Sequence, residues 1–284
     1  MSGDPRLTLA RPGLAAAGLQ GLLRAERFAD PRPMQVSIPI APLRAAADPN
    51  AEQLDQLLAG EIFDVLEIEG GFAWGQARRD GYVGFVETEA LSADLLIPTH
   101  WVTARTTFAF AEPSIKSPPF GPLSLNALVT LTEERGPLVR AAGVGWIPAT
   151  HLALVGWSFT DAAAVAERFL GAPYLWGGRG GPGLDCSGLL QQALYACGRA
   201  CPRDADQQAA LGEPVAPDQA GRGDLVFWRG HAGIMLDKAR LLHANAHHMA
   251  VAIEPLSEAI ARISAAGVGE PTAFRRLSGA RTPE

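Results

Sequence analysis

No stretch of this 284-residue sequence is apolar for long enough to cross a membrane. No basic run offsets the formal net charge of −6, which argues against nucleic acid as a partner. Cysteine is scarce: three residues make no even disulfide framework, and neither a C-x-x-C nor an H-E-x-x-H spacing offers a zinc site. The segment MSGDPRLTLARPGLAAAGLQGLL places Asp4 and Arg11 where an export signal needs a clean apolar core. It reads instead as an amphipathic helix, so the expected compartment is the cytoplasm. No metal and no cofactor are expected, and the chain is expected to be a monomer. What remains is ordinary for a globular protein, with 48% hydrophobic and 19% charged residues and room for two or three domains.

The first half reads as short strands separated by turn residues. After an N-terminal helical segment at 1–33, VSIPIAPL, EIFDVLEIE, FAWGQARRD and GYVGFVETEAL suggest a small β-barrel over 34–98. Residues 99–157 repeat the theme: Val83-Gly84-Phe85-Val86 and Leu91 match Val144-Gly145-Trp146-Ile147 and Leu152 at a constant offset of 61. The G-Y-V-G-F-V pattern resembles a bacterial SH3-like barrel, and the repeat implies two in tandem. The Pro-rich stretch Lys116–Pro122 is expected as a long loop inside the second barrel.

From residue 158 the pattern changes. A helix is expected at Asp161–Leu170, with Thr160 as N-cap and Gly171 as stop. A glycine-rich loop then ends at Asp185-Cys186-Ser187-Gly188, where a second helix starts and runs to Gly198. Cys186 thus stands at a helix N-terminus, whose unpaired N–H groups and dipole favour a thiolate. The adjacent glycines would let a substrate backbone come close. Equally, Cys186 alone could be a small apolar residue at the start of a buried helix. A loop through Pro202–Pro217, strands at 224–228, 232–236, 241–245 and 249–253, a helix at Ser257–Ala266 and a strand at Thr272–Leu277 complete an α+β domain.

Two histidines add a base. GDLVFWRGHAGIMLDKARLLHANA reads as two strands turning at Asp237-Lys238-Ala239-Arg240, which brings His231 and His243 roughly opposite one another. A thiol needs a base, and a base works best when a third polar group fixes its tautomer. His247, His248 and Asn245 compete with His243 for that third position.

Y-L-W-G-G, D-C-S-G, P-R-D, G-D-L-V-F-W and H-A-G-I, with L-H-A twelve residues after the first His, resemble the NlpC-type papain-like cell-wall peptidases. The resemblance covers roughly 158–284. It implies a multidomain chain: two small all-β SH3-like barrels followed by an α+β papain-like catalytic domain at 158–284. It implies Cys186 as nucleophile, His231 as base and, by the family's spacing, His243 as orienter. Tyr174 matches a tyrosine credited with oxyanion stabilisation, although a half-buried loop aromatic is an equal reading. Asp204, with Ser187 and Asp185, matches positions that bind the free amine of an N-terminal L-alanine; a loop aspartate is otherwise a cap or a solvated charge. Many relatives have Ser after that Asp, where this chain has Ala205. Glu61 and Tyr82 resemble positions that close the substrate end in relatives with tandem barrels, against the bland readings of an exposed turn residue and a barrel aromatic.

These matches imply a cysteine endopeptidase that cuts L-Ala-γ-D-Glu-diamino acid peptides between D-Glu and the diamino acid. Three alternatives stay open. The chain could act on intact wall, bind wall with a dead third domain, or run amidase or acyltransferase chemistry with the same nucleophile.

Overall fold

The computed structural model describes residues 3–277, so the outermost limits of the two terminal segments lie outside the described residues. The chain forms two compact units, Met1–Val155 and Gly156–Glu284.

The first unit begins with strands rather than the expected helix. Ala10–Arg11 pairs antiparallel with Leu14–Ala16, which pairs in parallel with Arg27–Ala29. Pro12-Gly13, Gly18 and Gly21 interrupt what periodicity alone suggested, because glycine weakens a helix and proline breaks one. Leu9, Leu14 and Ala16 pack on Leu66 and Trp74, and Glu67 holds both Arg11 and Arg27. A bulge between Val65 and Glu67 makes this docking possible. It turns Val65 toward the core that follows and Leu66 toward the N-terminal strands.

Seven strands between Arg32 and Ser92 form one curled sheet. The strand Ile62–Glu69 alternates as its sequence demands, with Phe63 and Val65 buried against Val36, Leu43, Leu57, Val86 and Leu91. A second set of strands, from His100 to Leu154, has its own core of Val102, Ala109, Leu123, Val129 and Ile147. The 61-residue offset appears as repeated structure. Val83–Glu87, a 3-10 turn Thr88–Ala90 and Leu91–Ser92 correspond to Gly145–Pro148, a 3-10 turn Ala149–His151 and Leu152–Leu154. Part of the expected Lys116–Pro122 loop is strand: Pro119–Ser124 pairs with Thr106–Phe110.

Glu61 is not an exposed turn residue. It is 2% exposed, accepts from Arg79 Nη1 at 2.7 Å and from the Leu58 N–H at 3.2 Å. Tyr82 is buried in the core of the first strand set.

In the second unit, α1 (Ala162–Glu167) is capped by Asp161 rather than Thr160: the Asp161 carboxylate accepts from the Ala164 N–H at 3.0 Å. The carboxylate wins because an acidic cap answers both the orphan donors and the helix dipole. The central helix α2 (Cys186–Ala196) is buried on all sides and ends before Gly198 in the left-handed region. The loop after Pro202 contains a short α3 (Ala205–Gln208) that the sequence did not suggest. A six-stranded sheet carries Leu225–Trp228, His231–Met235, Arg240–Asn245 and Ala250–Pro255 in order, flanked by Ala273–Arg276. The last helix, α4 (Leu256–Ala265), follows the Ala250–Pro255 strand directly and packs Ala259 and Ile263 on Val226, Trp228, Met235 and Leu241. Among the described residues no helix is long and apolar enough to cross a membrane.

Candidate active site

The site is built where the first turn of α2 meets the His231–Met235 strand. Asp185 caps α2, accepting the Gly188 N–H at 2.8 Å, and its other oxygen accepts the Gly177 N–H at 3.0 Å. Arg203 reaches the same carboxylate with both terminal nitrogens, at 3.0 and 2.6 Å, and donates to Ser187 Oγ at 2.7 Å. Arg203 is 1% exposed and Asp185 5%. A buried pair of this kind holds only while both partners are present, since loss of one strands a charge in a low-dielectric interior. Gly178, Gly183 and Gly188 serve this packing. A Cβ on Gly188 would stand 2.2 Å from the Gly178 carbonyl oxygen, so loop and helix can meet only through glycine.

This network fixes Cys186. Its Sγ lies within reach of the N–H groups of Ser187 and of Ala232, the residue after His231. The favourable helix terminus is outweighed. Burial, then the Asp185 carboxylate, push the thiol up to about 12, and the two N–H groups and Arg203 offset only part of that. The resting group is a neutral thiol, which makes a neighbouring base necessary.

His231 Nε2 lies 2.7 Å from His243 Nδ1, with ring centroids 5.0 Å apart. The strand register puts the two residues diagonally across the hairpin rather than directly opposite: Ile234 pairs with Leu242 and Met235 with Leu241. Gly233 makes the diagonal possible, because a Cβ there would stand 3.1 Å from the His243 Cβ and 2.7 Å from Leu241. Burial, then the neighbouring His243, lower His231 to about 3. Burial lowers His243 to about 4 although Glu254 pulls it up. Both rings are therefore neutral near pH 7.

The rivals for the third position are otherwise engaged. Asn245 Oδ1 accepts the His248 N–H at 2.8 Å and lies 2.9 Å from the His248 ring. His247 stacks edge-on with His248. Burial, then the neighbouring Cys186 and Asp185, raises the half-buried Tyr174 phenol to about 12, so it is a neutral O–H donor. Asp204 is the N-cap of α3, in a capping box with Gln207. Ser187 and Asp185 are tied into the Arg203 network. Glu61 and Tyr82 belong to the first unit. Cys197 and Cys201 are buried free thiols, and the described residues contain no group of His, Cys, Asp or Glu side chains suited to a metal ion.

Two residues of the site escaped the sequence reading. Arg203 sits inside P-R-D, yet only its neighbour Asp204 drew attention. Glu254 lies 2.6 Å from His243 Nε2 through Oε1. The signal for it was strand alternation: Leu241 pairs with Glu254 and His243 with Ala252, so all four side chains share one face of the sheet.

Residues 171–268 match the NlpC/P60 family, and residues 43–91 match the bacterial dipeptidyl-peptidase SH3 domain. The chain is 39% identical over 108 residues to the gamma-D-glutamyl-L-lysine dipeptidyl-peptidase of Bacillus subtilis, covering 35% of this chain and 36% of that one, so it spans about a third of that relative's length. It is 26% identical over 247 residues to dipeptidyl-peptidase 6 of Lysinibacillus sphaericus, covering 77% of this chain and 90% of that one. The crystal structure of an NlpC/P60 family protein from Bacillus cereus shares the fold, with a TM-score of 0.73 at 20% identity over 87% of this chain and 100% of that one. The two domain matches converge with the fold on one conclusion: the chain carries an NlpC/P60 family domain over residues 171–268 and a bacterial SH3 domain ahead of it.

Proposed function

We propose that this protein is a cysteine peptidase hydrolysing the bond between γ-D-Glu and the diamino acid in peptidoglycan-derived peptides that begin with a free L-Ala. The observation that carries the proposal is the junction just described: a neutral thiol at the start of α2, beside a strand that opens with a neutral imidazole backed by a second imidazole. The substrate class is supported by the relatives, whose names specify γ-D-glutamyl and dipeptidyl cleavage. With recycling of released wall peptides as its role, the cytoplasm is the proposed compartment.

Cys186 Sγ attacks the γ-carbonyl carbon while its proton passes to His231, and the carbonyl π pair moves onto oxygen. The oxyanion is met by the Cys186 N–H, which occupies the first helical position where α2 itself offers no acceptor. The Tyr174 O–H is the second donor. Collapse breaks the C–N bond, His231 returns the proton to the leaving amine, and a thioester remains. Water then adds with His231 again as base, giving the dipeptide acid and the free thiol. Asp204 is the carboxylate proposed to read the ammonium group of L-Ala, with Glu61 of the first unit as the other candidate, since an ammonium without a partner would be costly to desolvate.

The test is hydrolysis of L-Ala-γ-D-Glu-diaminopimelate and of the same peptide with N-acetylated alanine. Wild type is expected to cleave only the free peptide, and Cys186→Ala to lose on the order of 10⁵-fold in kcat. Equal cleavage of both peptides would move the activity to intact wall. Retained activity in the Cys186 variant would remove the mechanism. If a Glu61→Gln, Asp204→Asn double variant still told the two peptides apart, amine recognition would lie elsewhere.

A further inference from the structure

His243 is itself held from behind. Its Nε2 lies 2.6 Å from Glu254 Oε1, and Arg262 of α4 donates to that same oxygen. The His243 side chain is fully buried, Glu254 is 11% exposed and Arg262 27%. Four side chains thus form one line: His231, His243, Glu254 and Arg262. The charged and titratable groups facing His243 are Glu254 from its partner strand, Arg262 from α4, and His231 and His248 from its own hairpin and the following turn.

We propose that Glu254 is a positioning residue that sets the proton order of the two histidines, and that Arg262 holds its carboxylate in place for that task. This rests on the peptidase reading given above. A carboxylate only accepts, so the His243 nitrogen facing Glu254 must carry the N–H. A neutral imidazole has a single N–H, so His243 Nδ1 is left as an acceptor. His231 Nε2, 2.7 Å away, must then be the donor. The remaining nitrogen of His231, Nδ1, is left with its lone pair free, which is what removal of the Cys186 proton requires. Each assignment follows from the one before it.

Without Glu254 the opposite order becomes available. His243 could carry its proton on Nδ1 and donate to His231, which would place the His231 proton on Nδ1 and block the base. An ion pair between Glu254 and Arg262 alone would contribute little and would have no need to touch His243. The shared oxygen is what ties the pair to the catalytic hairpin. The carboxylate also faces the positive charge that develops when His231 takes the thiol proton, so its contribution grows along the reaction coordinate.

The test uses the full chain with Glu254→Gln, Glu254→Ala and Arg262→Gln. Three measurements are made: kcat and KM on the free peptide, the pH profile of Cys186 alkylation by iodoacetamide, and ring ¹⁵N shifts of labelled histidines. Glu254→Ala is expected to lower kcat roughly 10–100-fold with KM within about twofold, the range typical of groups that act through a ligand or base. Alkylation near neutral pH should slow by a similar factor, and the His243 shifts should leave the Nε2–H pattern. Glu254→Gln keeps an acceptor oxygen and should lose less than Glu254→Ala. Folded variants with wild-type kcat, alkylation profile and tautomer would overturn the proposal. So would a loss confined to urea stability. If Glu254→Ala does not fold, the isosteric Gln variant decides by the same criteria. Alkylation and ¹⁵N shifts need no peptide, so a wild type that fails to cleave the peptide would sink the substrate reading while these two readouts still judge Glu254.

Discussion

Two carboxylate–arginine pairs lie beside Cys186 and the histidine pair, and they differ in what else the carboxylate touches. Asp185 spends its remaining acceptor capacity on backbone N–H groups of its own loop and helix and on the Ser187 hydroxyl, and Arg203 grips it through both oxygens. Glu254 spends its capacity on an imidazole and receives Arg262 on a single oxygen. The first pair is almost wholly buried, whereas the second opens toward solvent at Arg262. The same residue types therefore do two jobs. One ties down the backbone beside Cys186, and the other is proposed to order the proton on His243, which backs the ring proposed to take the thiol proton.

That contrast predicts a graded set of responses. Arg203→Met should be the most damaging, because it leaves Asp185 buried and uncompensated. A loss of about 3–5 kcal/mol in urea unfolding is expected. A change below about 1 kcal/mol would place Asp185–Arg203 with the exposed pairs. Gly188→Ala comes next, costing about 1–3 kcal/mol of stability, since the new methyl meets a backbone carbonyl rather than a yielding side chain.

The third response is to pH. His231 and His243 stand at about 3 and about 4 in the fold, against 6.5 for the ordinary group. Between those values the unfolded chain binds more protons, so stability falls as pH falls. The contribution is full above about pH 6.5 and drains away toward pH 4 and then 3. The urea midpoint should therefore drop on acidification from pH 7 to 4.5, and less steeply in His243→Gln than in wild type. The smallest effect belongs to Arg262→Gln: less than about 1 kcal/mol in stability, with kcat reduced about tenfold or less. If Arg262→Gln instead unfolded the protein as Arg203→Met should, the two pairs would be doing the same job.

Much of the second unit was legible because local rules and tertiary contacts agree there. Asp185 before an apolar helical run, Gly198 after it and the D-K-A-R turn each fix an element to within a residue or two. The N-terminal segment misled because its leucines keep helical spacing while its glycines and Pro12 favour turns. Only the docking surface of Leu66, Trp74 and Glu67 decides between them, and it comes from residues far along the chain. Glu61 misled similarly: nothing near it in sequence announces that Arg79 and a backbone N–H enclose its carboxylate. Glu254 lies in a stretch that any reader would take as an outer strand, and its meaning depends on a cross-strand diagonal. Polar partners at long range leave no periodic trace, whereas apolar faces do.

The order of contacts along the chain has a consequence for how activity arises during folding. The histidine side closes through bonds spanning 12, 11 and 8 residues, all within one hairpin, one further strand and the helix that follows it. Such short loops form early and at little entropic cost. The thiol side closes over comparable spans, 8 residues from Gly177 to Asp185 and 18 from Asp185 to Arg203. Each side is thus a local network of its own, and the contact of α2 with the His231–Met235 strand is the longer-range step that joins them. Under the proposed function, activity waits on that step.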